Sequence, residues 1–167
     1  MKRLIILRHA KAVAKSSGND FGRVLAERGR SDMQALSRHM ADRGLSADLA
    51  LVSPAARTRE TWALAGFGAV PVRHVDAIYE ASREDLMAVL QDLADEVASV
   101  VLVGHNPGLE ELALTLPADP GPAQAGLPTA ALVEIALPIR TWRELRAGQG
   151  RIESFQTPAT LGAGQHA

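Results

Sequence analysis

Short, continuous apolar runs recur along the chain and are separated by longer mixed segments. The runs at residues 4–7, 50–52 and 99–103 carry no polar position except Ser99. Such runs are typical of central strands in a parallel sheet that is covered on both faces, where alternation between apolar and polar residues is lost. Taken with the weaker β-type patterns, they predict six strands, at residues 4–7, 50–52, 70–75, 99–103, 130–136 and 151–155.

The mixed segments between these runs carry helical patterns. Met33, Leu36 and Met40 recur at intervals of three and four residues and form a stripe on one helix face. Ser53 followed by Pro54 predicts a helix start, with serine as the N-cap and proline at the first helical position. The predicted helices cover residues 25–43 with Gly44 as their C-terminal signal, then 54–65, 83–94 and a segment opened by Pro107.

Strands that alternate with helices predict an α/β fold, a three-layer α/β/α sandwich whose central sheet is mostly parallel and carries helices on both faces. We expect one domain over residues 1–156, a flexible C-terminal tail over 157–167 and a loop over 14–23. Ligands of such sheets bind beyond the carboxyl ends of the strands. We therefore expect the functional residues at the carboxyl ends of the strands.

Composition narrows the classes of function. The chain has 47% hydrophobic and 22% charged residues and a net charge of -1, which gives no global attraction to nucleic acid or anionic membranes. It has no cysteine, so thiolate catalysis and disulfides are excluded. No run approaches the roughly 20 apolar residues of a membrane helix, and the first apolar run is too short for a signal peptide, so we expect a cytoplasmic protein.

Two arginines and two histidines fall at or just after the predicted strand ends. Arg8 and His9 end the first strand, Arg57 lies one turn into the helix after Ser53, and His105 follows a later strand. Guanidinium groups bind phosphate oxygens through paired hydrogen bonds, and a neutral imidazole is a competent nucleophile towards phosphorus. The helix that follows Asn106 would add N–H donors, so Asn106 joins the phosphate-binding candidates.

Three segments in the same order resemble the motifs of the histidine phosphatase superfamily, which has the phosphoglycerate-mutase-like fold, and in particular its SixA-type phosphohistidine phosphatases. They are residues 4–12, 53–61 and 103–107. Weaker similarity at residues 25–29, 78–82 and 129–131 extends the resemblance over about residues 2–156.

The resemblance implies a role for each candidate. His9 would accept the phosphoryl group, Arg8 and Arg57 would bind phosphate, and His105 would bind phosphate oxygens and stabilise the transition state. Glu80 matches the place where one branch of the superfamily holds its proton donor. The implied enzyme is a phosphatase that needs no metal and no other cofactor. Its partner would be a phosphohistidine protein or a small phosphorylated metabolite, with neither nucleic acid nor membrane involved.

Two features depart from the superfamily pattern. Ala10 stands where most members have glycine, which bears on how closely the backbone approaches there. Only a short link joins Tyr79 to the helix at Arg83, where the mutase and fructose-bisphosphatase branches carry helical insertions over the site. An open site is therefore expected.

Other interpretations remain open at this point. A phosphomutase of the same fold, or a phosphate- or phosphoprotein-binding module without turnover, would share the motifs. Glu80 is equally an ordinary surface carboxylate, and Arg57 a solvated helix residue paired with Glu60 or Thr61. Ser53 is interpreted as a cap and not a nucleophile. A metal site is disfavoured because two arginines would repel a divalent cation. We expect no catalytic part for His39 on a solvated helix face, His74 or His166.

Overall fold

The coordinates are a computed structural model that describes residues 1–15 and 19–162. Within these residues the strands are β1 Lys2–Arg8, β2 Leu49–Val52, β3 Val72–His74, β4 Ser99–Gly104, β5 Leu132–Leu137 and β6 Arg151–Gln156. They pair into one sheet in the spatial order β3-β2-β4-β1-β5-β6. Neighbours from β3 to β1 pair in parallel, and β5 is antiparallel to both of its neighbours, β1 and β6.

In the part of the chain that the structure describes, four α-helices cover the two faces of this sheet: α1 Glu27–Arg43, α2 Ala56–Ala65, α3 Arg83–Gln91 and α4 Gly108–Thr115. Alternate residues of β1 enter two separate buried clusters because successive side chains point to opposite faces. Ile5 and Leu7 pack in the cluster that contains α1 and α2, whereas Leu4 and Ile6 pack with α3 and α4. The predicted three-layer fold is confirmed.

The predicted end of the long helix is also confirmed, since Gly44 adopts φ 63 and closes α1 with a left-handed residue. The predicted N-cap of α2 is wrong. The helix begins at Ala56 with Ala55 as its N-cap. Ser53 is fully buried at the end of β2, where its hydroxyl lies 2.8 Å from the ring of His105 and accepts from the Ala55 amide at 3.3 Å.

Two peripheral predictions differ from the structure. His39 is only half exposed and its Nε2 is buried, so it does not lie on a solvated face. The segment after β6 turns back through a hydrogen bond from the Leu161 amide to the Thr157 carbonyl, and Leu161 packs against the cluster of α1 and α2. Residues 163–167, including His166, and residues 16–18 of the predicted loop lie outside the described residues. None of the described helices is long and apolar enough to cross a membrane.

The carboxyl ends of β1, β2 and β4 meet at one edge of the sheet. Arg8 is in register with Gly104, and two further amides continue the ladder: His9 N–H donates to the Gly104 carbonyl and Ser53 N–H to the Val103 carbonyl, each at 3.1 Å. The residues after β1 and β2 are therefore held by main-chain bonds to β4. The sheet places His9, Ser53 and His105 side by side.

Candidate active site

The two histidines face each other across this edge. Their ring centroids are 5.3 Å apart, and each residue is 8% exposed. They reach the same place from positions 96 apart in the chain because β1 and β4 are neighbours in the sheet. The structure brings Arg8, His9 and His105 together at the strand ends.

The ring of His9 is held in one tautomer. Its Nδ1 lies 2.8 Å from the carbonyl of Ala10, and a carbonyl oxygen only accepts, so Nδ1 carries the hydrogen and Nε2 carries the lone pair. Burial lowers the pKa of His9 to about 4, and the positive charges of Arg57 and Arg8 act in the same direction. His9 is therefore neutral near pH 7, with a free Nε2.

The ring of His105 is oriented by Ser53. Its Nε2 lies 2.8 Å from the Ser53 hydroxyl, while its Nδ1 is buried with no hydrogen-bond partner. Burial, followed by the charge of Arg57, lowers the pKa of His105 to about 3. If the hydroxyl donates to Nε2, the neutral ring carries its hydrogen on Nδ1 as an unused donor.

Arg8 is anchored at one end of its guanidinium group. Nη1 donates to the Leu127 carbonyl at 2.9 Å, while Nε is buried without a partner. Burial lowers the pKa of Arg8, and the nearby carboxylate of Glu110 opposes this shift. The same carbonyl of Leu127 accepts from the Asn106 amide at 2.9 Å, so this loop holds two of the predicted site residues.

Arg57 is buried, with 6% exposure, and is not a solvated helix residue. Its guanidinium group contacts Asp20, and not Glu60 or Thr61, the partners in the alternative interpretation. Glu60 pairs with Arg30 at 2.7 Å, and the Thr61 hydroxyl donates to the main-chain carbonyl of Arg57. As in Arg8, Nε of Arg57 is buried and has no partner.

Three residues of this region were missed from the sequence: Asp20, Arg23 and Tyr79. Asp20 accepts from the Tyr79 hydroxyl at 2.7 Å and from Arg23 Nη1 at 3.0 Å. The hydrogen bond to Asp20 raises the pKa of Tyr79 to about 12, and the same contact, with Arg23, lowers the pKa of Asp20. Of these contacts, only the Asp20–Arg23 ion pair could be inferred from the local sequence, because it joins an acidic and a basic residue three positions apart. The link to Tyr79 spans 59 residues.

The profile of the histidine phosphatase superfamily (branch 1) matches residues 4–99. The chain belongs to the histidine phosphatase superfamily. A crystal structure from Agrobacterium tumefaciens assigned as the phosphohistidine phosphatase SixA is 31% identical, with 94% of this chain and 98% of that one covered and a TM-score of 0.79. This similarity makes the chain SixA-like within the superfamily, and membership supports phosphatase activity.

Two further solved structures share the fold of this histidine phosphatase. A protein of Nakamurella multipartitia assigned as SixA is 24% identical, with a TM-score of 0.82 and coverage of 94% and 96%. The protein histidine phosphatase SixA complexed with tungstate is 23% identical, with a TM-score of 0.78 and coverage of 95% and 99%. The six-stranded architecture is thus the SixA-type fold.

Glu80 and Asn106 lie differently from the arginines and histidines of the site. Glu80 is exposed and has a positive φ of 57, next to Tyr79 at the site. Asn106 uses its amide hydrogens on Leu127 at 2.9 Å and Glu110 at 3.4 Å, and its Oδ1 is an acceptor. The Asn106 side chain therefore supports the loop that binds Arg8. The predicted phosphate contact uses main-chain N–H groups at the start of the following helix, and it stays a prediction.

The alanine that replaces the usual glycine is accommodated. Ala10 is fully buried in the cluster of α1 and α2, and its amide donates to the Thr61 hydroxyl at 3.0 Å. The close approach occurs instead at Gly29 in α1, where an added Cβ would lie 2.2 Å from the Lys11 carbonyl. Among residues 1–15 and 19–162, no cluster of three or more His, Asp or Glu side chains is arranged to bind a metal ion.

Proposed function

We propose that this protein is a phosphatase that uses His9 as a covalent phosphoacceptor and needs no metal. The observation that carries the proposal is the tautomer of His9: its Nδ1–H is held by the Ala10 carbonyl, which leaves the Nε2 lone pair for attack. Three buried nitrogens without a hydrogen-bond partner support the proposal, namely Nε of Arg8, Nε of Arg57 and Nδ1 of the neutral His105 ring. The charges of both arginines act on His9, and the His105 ring lies beside it.

In the first step Nε2 of His9 forms a bond to phosphorus, and the bond from phosphorus to the leaving group breaks. The leaving atom takes the electron pair and a proton, which comes from solvent when the leaving group is an imidazole and from Glu80, the candidate acid, when it is an alkoxide. The guanidinium groups of Arg8 and Arg57 remain charged throughout and stabilise the equatorial oxygens, and His105 donates a hydrogen bond to one of them. Because positive side chains bear this charge, no bound cation enters the step.

In the second step water attacks the phosphorus of the phosphohistidine. The P–N bond breaks, its electrons return to Nε2, and inorganic phosphate leaves. Phosphohistidine is an activated intermediate, so the protein has only to admit water and hold the phosphoryl oxygens. Between Tyr79 and the start of α3 at Arg83 the chain forms a short link with no inserted helix, and this supports access of water.

We propose phosphohistidine as the first substrate to test, with phosphomonoesters second. The SixA relatives are phosphohistidine phosphatases by description, and one of them is complexed with tungstate, a tetrahedral oxyanion like phosphate. A phosphorylated imidazole is also a leaving group that solvent can protonate, so it requires no strong general acid from the protein. The physiological partner would then be a phosphorylated protein.

The test is rapid acid or base quenching after mixing with a labelled substrate. We expect a base-stable, acid-labile label on the wild-type protein and none on His9→Ala, which keeps the strand end and should still bind phosphate. His74→Ala is the matched control, because His74 is an exposed histidine at the end of β3. Equal labelling of His9→Ala and wild type would reject His9 as the phosphoacceptor.

The same measurement separates the rival functions. A phosphomutase would keep the label until a second acceptor arrived and would release little phosphate to water. A binding module without turnover would bind tungstate but would never carry the label. Prolonged treatment with a metal chelator should leave hydrolysis unchanged, and a loss of activity that added metal restores would contradict the metal-independent mechanism.

A further inference from the structure

Asp20 binds Arg57 through two different groups. Its main-chain carbonyl accepts from Nη1 at 2.9 Å, and its carboxylate Oδ2 accepts from Nη2 at 3.1 Å. The Arg57 side chain is 8% exposed, so the contact lies largely away from solvent. It is thus a fixed two-point contact, unlike a mobile surface ion pair.

These contacts leave one edge of the guanidinium group free. Nη1 and Nη2 bind Asp20, while Nε is buried with no partner. The Nε hydrogen and the second hydrogen of Nη2 point the same way and form a pair of parallel donors, the arrangement that suits two oxygens of one phosphoryl group. A buried N–H without an acceptor is costly, so this edge is suited to a ligand.

The Asp20 carboxylate is itself held from two sides. The Tyr79 hydroxyl donates to Oδ2 at 2.7 Å and Arg23 Nη1 to Oδ1 at 3.0 Å. The Tyr79 ring packs edge-on against His105, with centroids 5.6 Å apart. A carboxylate beside an anion site repels the anion. The Asp20 carboxylate must therefore provide a benefit that outweighs this repulsion. Orienting the guanidinium group of Arg57 is such a benefit.

We propose that Asp20 is a positioning residue that directs the Nε edge of Arg57 towards the phosphoryl group. Asp20 acts through Arg57 and does not touch the substrate. The inference rests on the proposed function for the role of Arg57, and adds to it a residue of the loop before α1. Tyr79 maintains the arrangement by holding Oδ2, the same oxygen that Arg57 contacts.

Two substitutions at Asp20 separate its role in positioning Arg57 from the effect of its negative charge. Asp20→Asn and Asp20→Ala both remove the negative charge, but only asparagine keeps an oxygen for Nη2 of Arg57 and the Tyr79 hydroxyl. With an aryl phosphate we expect kcat/KM of Asp20→Ala to fall about tenfold or more below that of Asp20→Asn. Tungstate affinity, measured by calorimetry, should differ in the same direction. Equal values for the two variants would overturn the proposal.

A double-mutant cycle then asks whether Asp20 acts through Arg57. In an Arg57→Ala background, Asp20→Ala and Asp20→Asn should have the same kcat/KM and the same tungstate affinity. Asn19→Ala is the control in the same loop, since the Asn19 side chain accepts from the Gly22 amide at 3.0 Å. Any loss it causes should persist in the Arg57→Ala background. If the difference between alanine and asparagine at position 20 also persists there, Asp20 supports the loop only.

Different results would reject the proposed function and the positioning role of Asp20. Absence of a phosphoenzyme in the wild-type protein would reject the proposed function. The tungstate affinities of Asp20→Asn and Asp20→Ala are read without turnover, so they test the positioning role of Asp20 even in that case.

Discussion

Arg57 provides both a positive charge and a planar guanidinium group, and one substitution separates these two contributions. Arg57→Lys keeps the positive charge but loses the planar pair of parallel donors. We expect kcat to fall roughly a hundredfold, the typical effect of removing one charged hydrogen bond from a transition state. Steady-state kinetics on an aryl phosphate measures this, and near wild-type activity would mean that the guanidinium geometry has no part in the reaction.

The protonation state of the histidines predicts an unusual pH profile. Burial lowers the pKa of His9 to about 4, so the neutral nucleophile persists well into the acidic range. At pH 5 an ordinary histidine with a pKa of about 6.5 would be only ~3% neutral. We expect kcat/KM, corrected for ionisation of the substrate, to stay nearly flat from pH 7 to pH 5 and to decline below it. An acidic limb near pH 6.5 would contradict the buried neutral ring.

Glu80 is best tested through the leaving group, since a proton donor matters most for a strongly basic leaving atom. If Glu80 is the acid, Glu80→Gln slows an alkyl phosphate by roughly a hundredfold while an aryl phosphate and phosphohistidine change little. A common slowing of all three substrates would indicate a positioning role for this strained, exposed residue. No change would make Glu80 a surface carboxylate and favour an easily protonated natural leaving group.

At the level of elements, the contact between α1 and the segment after β1 supports the nucleophile. Gly29 lies in the first turn of α1, and a Cβ there would stand 2.2 Å from the Lys11 carbonyl, two residues beyond His9. Alanine normally favours a helix interior over glycine by about 1 kcal/mol. At Gly29 the clash between the added Cβ and the Lys11 carbonyl should instead make alanine destabilising.

We therefore expect Gly29→Ala to lower the free energy of unfolding by about 1–3 kcal/mol, the usual range for overpacking, and to lower kcat as well. Chemical denaturation and steady-state kinetics measure the two effects. Gln34→Ala, at an exposed position of the same helix, is the control and should change stability by less than about 0.5 kcal/mol. A stabilised Gly29→Ala would show that α1 moves away without cost.

At the scale of the whole molecule, one buried carboxylate joins the sheet to a helix far from the site. Glu134 on β5 is fully buried, pairs with Arg43 at the end of α1, and lies 3.6 Å from Arg3 on β1. Both arginines are partly exposed, so water can solvate them when the partner is lost.

Glu134→Gln should therefore cost about 1–3 kcal/mol of stability, less than the loss of a partner in a fully buried pair. Because Glu134 is opposite Ile5 in the middle of the sheet, kcat should not change. Denaturant unfolding and kinetics on the same preparation check both expectations. A changed kcat at unchanged stability would indicate that α1 transmits strain to the site.

The amino-acid sequence by itself determined the architecture and most of the site. Continuous apolar runs specify strands covered on both faces, and the residues after each run lie at the carboxyl edge, so the sequence alone predicts that Arg8, His9 and His105 lie together. The sequence also indicates the end of α1, because Gly44 can adopt the left-handed backbone conformation that closes a helix. These features are local, because each depends on periodicity or on the conformation of one residue.

Only the tertiary structure decided which polar groups meet across long separations. The partner of Arg57 is Asp20, 37 residues away, and the hydroxyl of Ser53 orients His105 instead of capping a helix. Asn106 turns its amide to Leu127, and Glu134 is buried within an otherwise apolar strand. Hydrogen bonds and ion pairs depend on three-dimensional distance and direction, which residue types and spacing do not encode; hydrophobic periodicity depends only on which face is buried, and the sequence carries that directly.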